Sequence, residues 1–338
     1  MFIVIDNWLE RLPEQSHAAA REAVTSTFGA AAIGSIDPVL GGASGALAFR
    51  IGVNDRLYLL RMETSRGPLR NPHQYACMRI AADAGIAPPL RYVNDDAGAV
   101  IMDFIAARPL SDYPGGPLGL VGALGRLAAE LQATAPFPVL GDYRALLGRM
   151  LGYIKGLFAP GLLDEHMEGF ERIRAAYPWD AAGHVSSHND PNPRNIIFDG
   201  EKLWLIDWET SYRNDALTDV AILVENHAGT PELEESLLTS WSGSVPDRLM
   251  RAKLRLMRQL TRLYYAGLLV AFATKPSEPI ADLAAPTPDE FRARIASGEL
   301  RAVAPETRLV LGKMCLAAVV AELRSGSFEE ALRVCHGS

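Results

Sequence analysis

The chain has 338 residues, 49% of them hydrophobic and 22% charged, with a net charge of −7 and a pI near 5.6. That length favours two domains or lobes over a single core, and the acidity argues against a nucleic-acid binder, which carries a basic face. It still leaves room for a polyanionic ligand, because a few arginines and backbone N–H groups suffice to hold phosphates. Cys77, Cys315 and Cys335 are far apart, odd in number and form no CxxC pair, so neither a disulfide framework nor a zinc site is suggested. Cys77 and Cys315 read as small core residues. The start, MFIVIDNWLE, has no basic n-region and no cleavage site, and the longest apolar run, 264–273, is too short to cross a bilayer. A cytoplasmic protein with no membrane partner is the expectation.

In chain order, residues 5–28 read as one helix with Trp8, Leu9 and Leu12 on one side. From Ile36 to Met62 the character changes to strands. VLGGASGALAFRIGV is a strand, a glycine turn and a strand, and RLYLLRM is a third, entered through Asn54-Asp55. Asn71-Pro72 opens a helix by N-cap and N1 chemistry, and Gly85 closes it. RYVNDDAGAVIMDFI is a hairpin that turns at Asn94 to Gly98. Past Pro109, residues 118–133, 143–158 and 164–176 carry apolar side chains at helical spacing. A strand-rich island follows at 184–207, and helices then return to the end. Thr287-Pro288-Asp289-Glu290 is a helix start with an N-cap, Pro at N1 and an acid at N3, preceded by a surface loop rich in Pro and Ser. The order predicts an α+β fold of two lobes, a small β-rich lobe over 1–105 and a larger helical lobe over 106–338, with a cleft between them.

The densest chemistry is in HVSSHNDPNPRNIIFDGEKLWLIDWE. Phosphoryl transfer to an alcohol needs a carboxylate to orient the hydroxyl and oxygen ligands for magnesium, held on a rigid frame. Asp190 and, five residues on, Asn195 supply a carboxylate and an amide oxygen. A strand, the Asp199-Gly200 turn and a second strand then deliver Asp207, so the spacing lets all three converge on one metal-phosphate site. Each residue alone is as easily a turn former or a cap; the set is much less ordinary.

On these residues the chain resembles the aminoglycoside phosphotransferase and choline kinase family, whose fold is protein-kinase-like and two-lobed. HNDPNPRN resembles the family's catalytic loop, which implies Asp190 as catalytic base and Asn195 as magnesium ligand. LWLIDWE resembles its metal-binding segment, which implies Asp207 as the principal magnesium ligand. NDALTDVA resembles the segment in which an Asp opens a helix and braces the catalytic loop, a part that Asp219 fits. In the first lobe the resemblance implies a phosphate cover at Gly42, Ala43, Ser44 and Gly45, where glycines let N–H groups approach phosphate oxygens. It implies a phosphate contact at Arg61, and a hinge at Asp103, Phe104 and Ile105 whose backbone would hold adenine. ATP and Mg²⁺ are the implied ligands, and a small-molecule acceptor the implied partner.

The pattern departs from the family at Gln74, where the helix after the third strand has a Glu to pair with the basic residue. Gln74 also lies three residues after Asn71, where a capping box wants Gln or Glu, so pairing with Arg61 and capping both stand. Gln132 replaces a His of the family. Acceptors in the family include amino alcohols such as choline and ethanolamine, and aminoglycosides. Glu209 and Tyr212 are the candidate acceptor residues, with Trp208, Trp241, Tyr264 and Tyr265 as further aromatics. The alternative is a kinase-like nucleotide-binding regulator with impaired catalysis.

Overall fold

The computed structural model describes residues 8–29, 33–39, 46–63, 70–273, 278–301 and 304–337. The chain divides into two compact units, Met1–Pro138 with Val185–Arg213, and Val139–His184 with Asn214–Ser338.

The first unit is built on a five-stranded antiparallel sheet of β1 (Ile33–Val39), β2 (Ala46–Val53), β3 (Arg56–Glu63), β4 (Leu90–Asn94) and β5 (Ala99–Asp103), in the order β1-β2-β3-β5-β4. Alternation along β3 decides what each face does. Leu60 and Met62 turn to a core with Phe49, Ile51, Val53 and Ile101, covered by Ala20, Ala23 and Val24 of helix α1 (His17–Phe28). Arg61 and Glu63 therefore take the opposite face. The helix expected over 5–28 starts later. Leu9–Arg11 and Glu14–Ser16 are short 3-10 turns with Pro13 between them, because Pro13 removes an N–H and clashes with the preceding turn. Trp8, Leu9 and Leu12 still reach the core.

The helix expected to open at Asn71-Pro72 is α2 (Gln74–Asp83). Asn71 is not its N-cap. Its Oδ1 accepts from the His73 N–H at 2.9 Å and its Nδ2 donates to the Ser211 carbonyl at 2.7 Å, which ties the entry of α2 to the chain after Asp207. Helix α3 (Gly116–Gln132) follows, then the short strands β6 (Val185–Ser187), β7 (Ile196–Phe198), β8 (Leu203–Leu205) and β9 (Tyr212–Asn214), with β6 beside β9 and β7 beside β8.

The second unit is helical: α4 (Tyr143–Lys155), α5 (Asp164–Ala176), α6 (Leu217–His227), α7 (Pro231–Ser242), α8 (Arg248–Ala271), α9 (Pro288–Ala296), α10 (Pro305–Leu323) and α11 (Gly326–His336). Helix α8 is its axis, with α4, α6, α10 and α11 packed around it over Leu254, Leu256, Met257, Leu260 and Leu263. The capping box at Thr287 and Glu290 forms as its sequence implies. Asp215, rather than Asp219, opens α6: its Oδ1 accepts from the Leu217 N–H at 2.8 Å and its Oδ2 from the Tyr177 hydroxyl at 2.9 Å. Asp219 is buried within the first turn of α6. Among the described residues no helix is long and apolar enough to cross a membrane.

The turn that aims β3, and with it Arg61, is Asn54-Asp55, with both φ angles positive at 47° and 62°. Two left-handed residues between strands that pair Val53 with Arg56 make the turn type whose twist suits a hairpin. The second position pays for carrying a Cβ there. Asp55→Gly should therefore raise stability by about 0.5–1 kcal/mol, and Asp55→Val should lower it. Urea melts of both variants check this; equal midpoints would exclude the turn geometry.

Candidate active site

Two residues in left-handed backbone frame the site, Asn189 at φ 62° and Asp207 at φ 66°. Non-glycine residues adopt this conformation only where their surroundings enforce it. Around Asn189 the enforcement is visible. Its Nδ2 lies 3.3 Å from the Ser187 carbonyl, 3.0 Å from that of Thr210 and 3.3 Å from that of Tyr212. His188 is fully buried and its Nε2 sits 2.9 Å from the Ile206 carbonyl, which accepts only, so the proton is on that nitrogen. The Thr210 and Ser211 hydroxyls return to the His188 carbonyl at 3.1 and 3.2 Å. Loop 188–195 and segment 206–212 are thus laced together from both sides.

Asp190 leaves this lacing with its carboxylate between two amides. Asn192 Nδ2 donates to its Oδ1 at 2.8 Å, and Asn195 Nδ2 donates to its Oδ2 at 3.1 Å and to its carbonyl at 2.9 Å. Because acceptors face the NH₂ of Asn195, its Oδ1 points the other way. The β7–β8 hairpin pairs Ile196 with Leu205, and one bond further the Ile206 N–H donates to the Asn195 carbonyl at 3.0 Å. Asn195 and Asp207 therefore stand at the same open end of one ladder. The far end is closed by Asp199, whose Oδ1 accepts from the Glu201 and Lys202 N–H groups at 2.7 and 2.8 Å.

Arg61 comes to this place from β3, in register with Ala48 and Val100. Its Nη2 lies 3.4 Å from Asp207 Oδ1 and donates to Glu209 Oε1. Burial works against the guanidinium charge, but Asp207 first and then Glu209 outweigh it and hold the pKa above its ordinary value. Glu209 is pushed up, by burial first and by the Asp207 charge, with Arg61 opposing. The other terminal nitrogen of Arg61, Nη1, is buried and has no hydrogen-bond partner among the described residues. Buried donors seldom stay empty-handed, and an anionic oxygen would satisfy it.

Gln74 takes neither of the two roles open to it in the sequence. It is the first residue of α2, nearly fully buried, and its Nε2 donates to Glu63 Oε1. Glu63 also accepts from the Tyr75 hydroxyl at 3.2 Å and from Arg70 Nε at 2.8 Å. The carboxylate that the helix lacks is thus present two residues after Arg61, on the strand, where it anchors the start of α2.

At the end of β5 the Asp103 N–H donates to the Pro89 carbonyl and the Phe104 N–H to that of Leu57, at 2.9 and 3.0 Å. Both are spent inside the sheet. Gly42, Ala43, Ser44 and Gly45 lie outside the described residues. Trp208 is buried against Phe137 and His188, and the Tyr212 side chain is buried as well. Tyr264 and Tyr265 join Tyr143 in an aromatic group of the second unit, with ring centroids 6.0 and 5.9 Å apart. Cys77 is a core thiol, pushed up to about 12 by burial. Reading the sequence alone missed Asn189, Asn192 and Glu63. The readiness of Asn for left-handed backbone was the one signal available for the first.

The Gln74–Glu63 contact reverses the sign expected of restoring an acid on the helix. In Gln74→Glu a second carboxylate would face Glu63, and like charges raise the folded-state pKa of the pair above the unfolded value. Stability is then present at low pH and lost as pH rises through that raised pKa. The variant should match wild type near pH 4.5 and fall about 1–3 kcal/mol below it at pH 8. Melts at the two pH values test this; an equal offset at both would remove the Glu63 contact from the account.

Comparisons with known proteins bear on the fold and the family. A choline/ethanolamine kinase family protein from Mesorhizobium loti superposes with a TM-score of 0.70 at 19% identity, over 96% of this chain and 99% of that one. A spectinomycin phosphotransferase, in complex with ADP and spectinomycin, gives 0.56 at 12% identity over 94% and 97%. At these identities the likeness is one of fold, and the fold is kinase-like. A protein of Metamycoplasma hominis described as uncharacterized is 26% identical over 180 residues, 52% of this chain but only 34% of that protein's length. Residues 35–256, which hold every described element of the site, match the family described as "Phosphotransferase enzyme family" (APH), and the chain belongs to that family.

Proposed function

We propose that this chain moves the γ-phosphate of ATP onto a hydroxyl group of a small molecule, with Mg²⁺ bound by Asn195 and Asp207. The observation that carries the reading is the shared ladder end at which Asn195 and Asp207 stand, with Asp190 hydrogen-bonded to the first and Arg61 to the second. Asp190 would orient the acceptor hydroxyl and take its proton as the new O–P bond forms. The bond from the γ-phosphorus to the β-phosphate oxygen breaks, ADP leaves with the electron pair, and the proton passes from the carboxylate to solvent.

The donor set suits a magnesium ion. Asn195 Oδ1 and the Asp207 carboxylate are hard oxygen ligands. Magnesium is characteristically held by one or two protein oxygens, with waters and phosphates completing the shell. When bound it would neutralise phosphate charge. Arg61 would give its unpaired Nη1 to a phosphate oxygen, Ile105 its N–H to adenine, and residues 42–45 their backbone N–H groups to the phosphates.

Glu209, an acid next to Asp207 and half-buried against Arg61, is the side chain that supports a cationic acceptor, an amino alcohol or an aminoglycoside-like molecule. The reading takes 1–105 as the nucleotide lobe, 106–338 as the acceptor lobe, and the cytoplasm as the place of action. ADP release from Mg-ATP with choline, ethanolamine, thiamine and spectinomycin tests it, and no release above the acceptor-free rate with any of them would count against this acceptor class.

Two substitutions divide the machinery. Asp190→Asn should lower turnover by roughly 10²–10⁴-fold while leaving Mg-ATP affinity within a few-fold, since a group that acts in the transition state contributes little to nucleotide binding. Wild-type turnover in this variant would exclude Asp190 as the base. Asp207→Ala should act through the metal: Mg-ATP should no longer raise the melting temperature at concentrations that raise it in wild type. An unaltered magnesium titration would remove Asp207 from the metal site.

A further inference from the structure

Asn195 is held to Asp190 by a motif; Asn192 is held to it by geometry alone. All four polar groups of Asn192 are engaged within loop 188–195. Its N–H donates to the Asp190 carbonyl at 2.8 Å, and its carbonyl accepts from the Asn195 N–H at 2.9 Å. Its Oδ1 accepts from the Arg194 N–H at 2.8 Å, and its Nδ2 donates to Asp190 Oδ1 at 2.8 Å. The peptide N–H at one end of the amide and the carboxylate at the other permit a single orientation of the side chain.

We propose that Asn192 is a positioning residue for phosphoryl transfer, acting through Asp190; this rests on the reading of Asp190 as the base. A carboxylate held by Asn195 alone can turn about its Cβ–Cγ bond. Held at each oxygen by a different amide, it cannot. The competing explanation is that Asn192 serves only the turn, since Asn side chains commonly bond the backbone two residues on. The two roles use different atoms. The turn needs Oδ1 and the hold on Asp190 needs Nδ2.

Asn192→Asp separates them. It keeps an oxygen for the Arg194 N–H but places another oxygen, in place of the donor, against Asp190 Oδ1. Asn192→Ala loses both contacts. ADP release is measured from Mg-ATP with the fastest acceptor of the panel above, or with water if none exceeds it. Asn192→Asp should lower kcat by roughly ten- to a hundred-fold, with KM for ATP within a few-fold. Asn192→Ala should lower kcat to a similar extent. Added to Asp190→Asn, however, it should change the residual rate less than about two-fold, because residues that act as a unit are not additive. Wild-type kcat in Asn192→Asp, or an undiminished effect of Asn192→Ala in the Asp190→Asn background, would overturn the proposal. If Asp190→Asn itself turned over at the wild-type rate, the base reading would fall and the proposal with it. Silent Asn192 variants beside an inactive Asp190→Asn would overturn the proposal alone.

Discussion

The carboxamide of Asn189 is the contact on which the rest of the site depends. Its NH₂ group reaches three carbonyls from two separate stretches of chain, those of Ser187, Thr210 and Tyr212. To do so the residue must sit in left-handed backbone, a conformation that costs an L-residue about 1 kcal/mol or more. The cost is recovered because the alternative is several buried carbonyls without donors. A side effect of the left-handed residue is that the chain direction changes sharply just before Asp190, which turns that side chain out of β6 and toward the loop amides. Asp207, with its own positive φ, performs the same reversal at the end of β8. The two acids are therefore presented by backbone kinks rather than by regular elements, and each kink is braced by groups of the other's segment.

Charge is arranged around this frame with an economy of partners. The face of β3 that carries Arg61 and Glu63 brings one cation and one anion to the site side of the sheet, and each is assigned to different neighbours. Arg61 serves Asp207 and Glu209, whereas Glu63 serves Gln74, Tyr75 and Arg70 at the start of α2. A carboxylate at a helix N-terminus is favourable in its own right. Glu63 thus stabilises the helix it anchors, and a neutral amide on the helix avoids a like-charge contact. Gln74 thus leaves the helix neutral at the place where Glu63 already supplies a carboxylate.

Much of this was legible in the sequence, and the illegible part has a common cause. Strand alternation, the Asn54-Asp55 turn, the hairpin at Asn94 to Gly98 and the capping box at Thr287 are local patterns, and they appear where the sequence puts them. The spacing of Asp190, Asn195 and Asp207 was readable because a hairpin of fixed length separates the last two. Asn71 was read as a cap because the residues beside it fit one. Its true partner, the Ser211 carbonyl, is 140 positions away in sequence. Nothing in the sequence pointed to Glu63, and nothing tied Glu209 to its cation Arg61, 148 positions away. Long-range pairing of polar groups leaves no periodic trace, so a single sequence does not disclose it.

An arginine at position 61 fits this arrangement better than a lysine would. A lysine presents one ammonium, and with the helix acid replaced by Gln74 that ammonium would be drawn wholly to Asp207 and Glu209. The guanidinium is a planar fork with donors fixed on both sides. One arm can remain with Asp207 and Glu209 while the other, Nη1, has no partner among the described residues. On the proposed reading the same residue would bridge the acidic segment and a phosphate oxygen, two partners that the fork can reach at once. The identity of residue 61 and the neutrality of residue 74 are thus two sides of one solution: the counter-charge moves from the helix to the segment after β8, and a forked cation becomes the group able to answer to both.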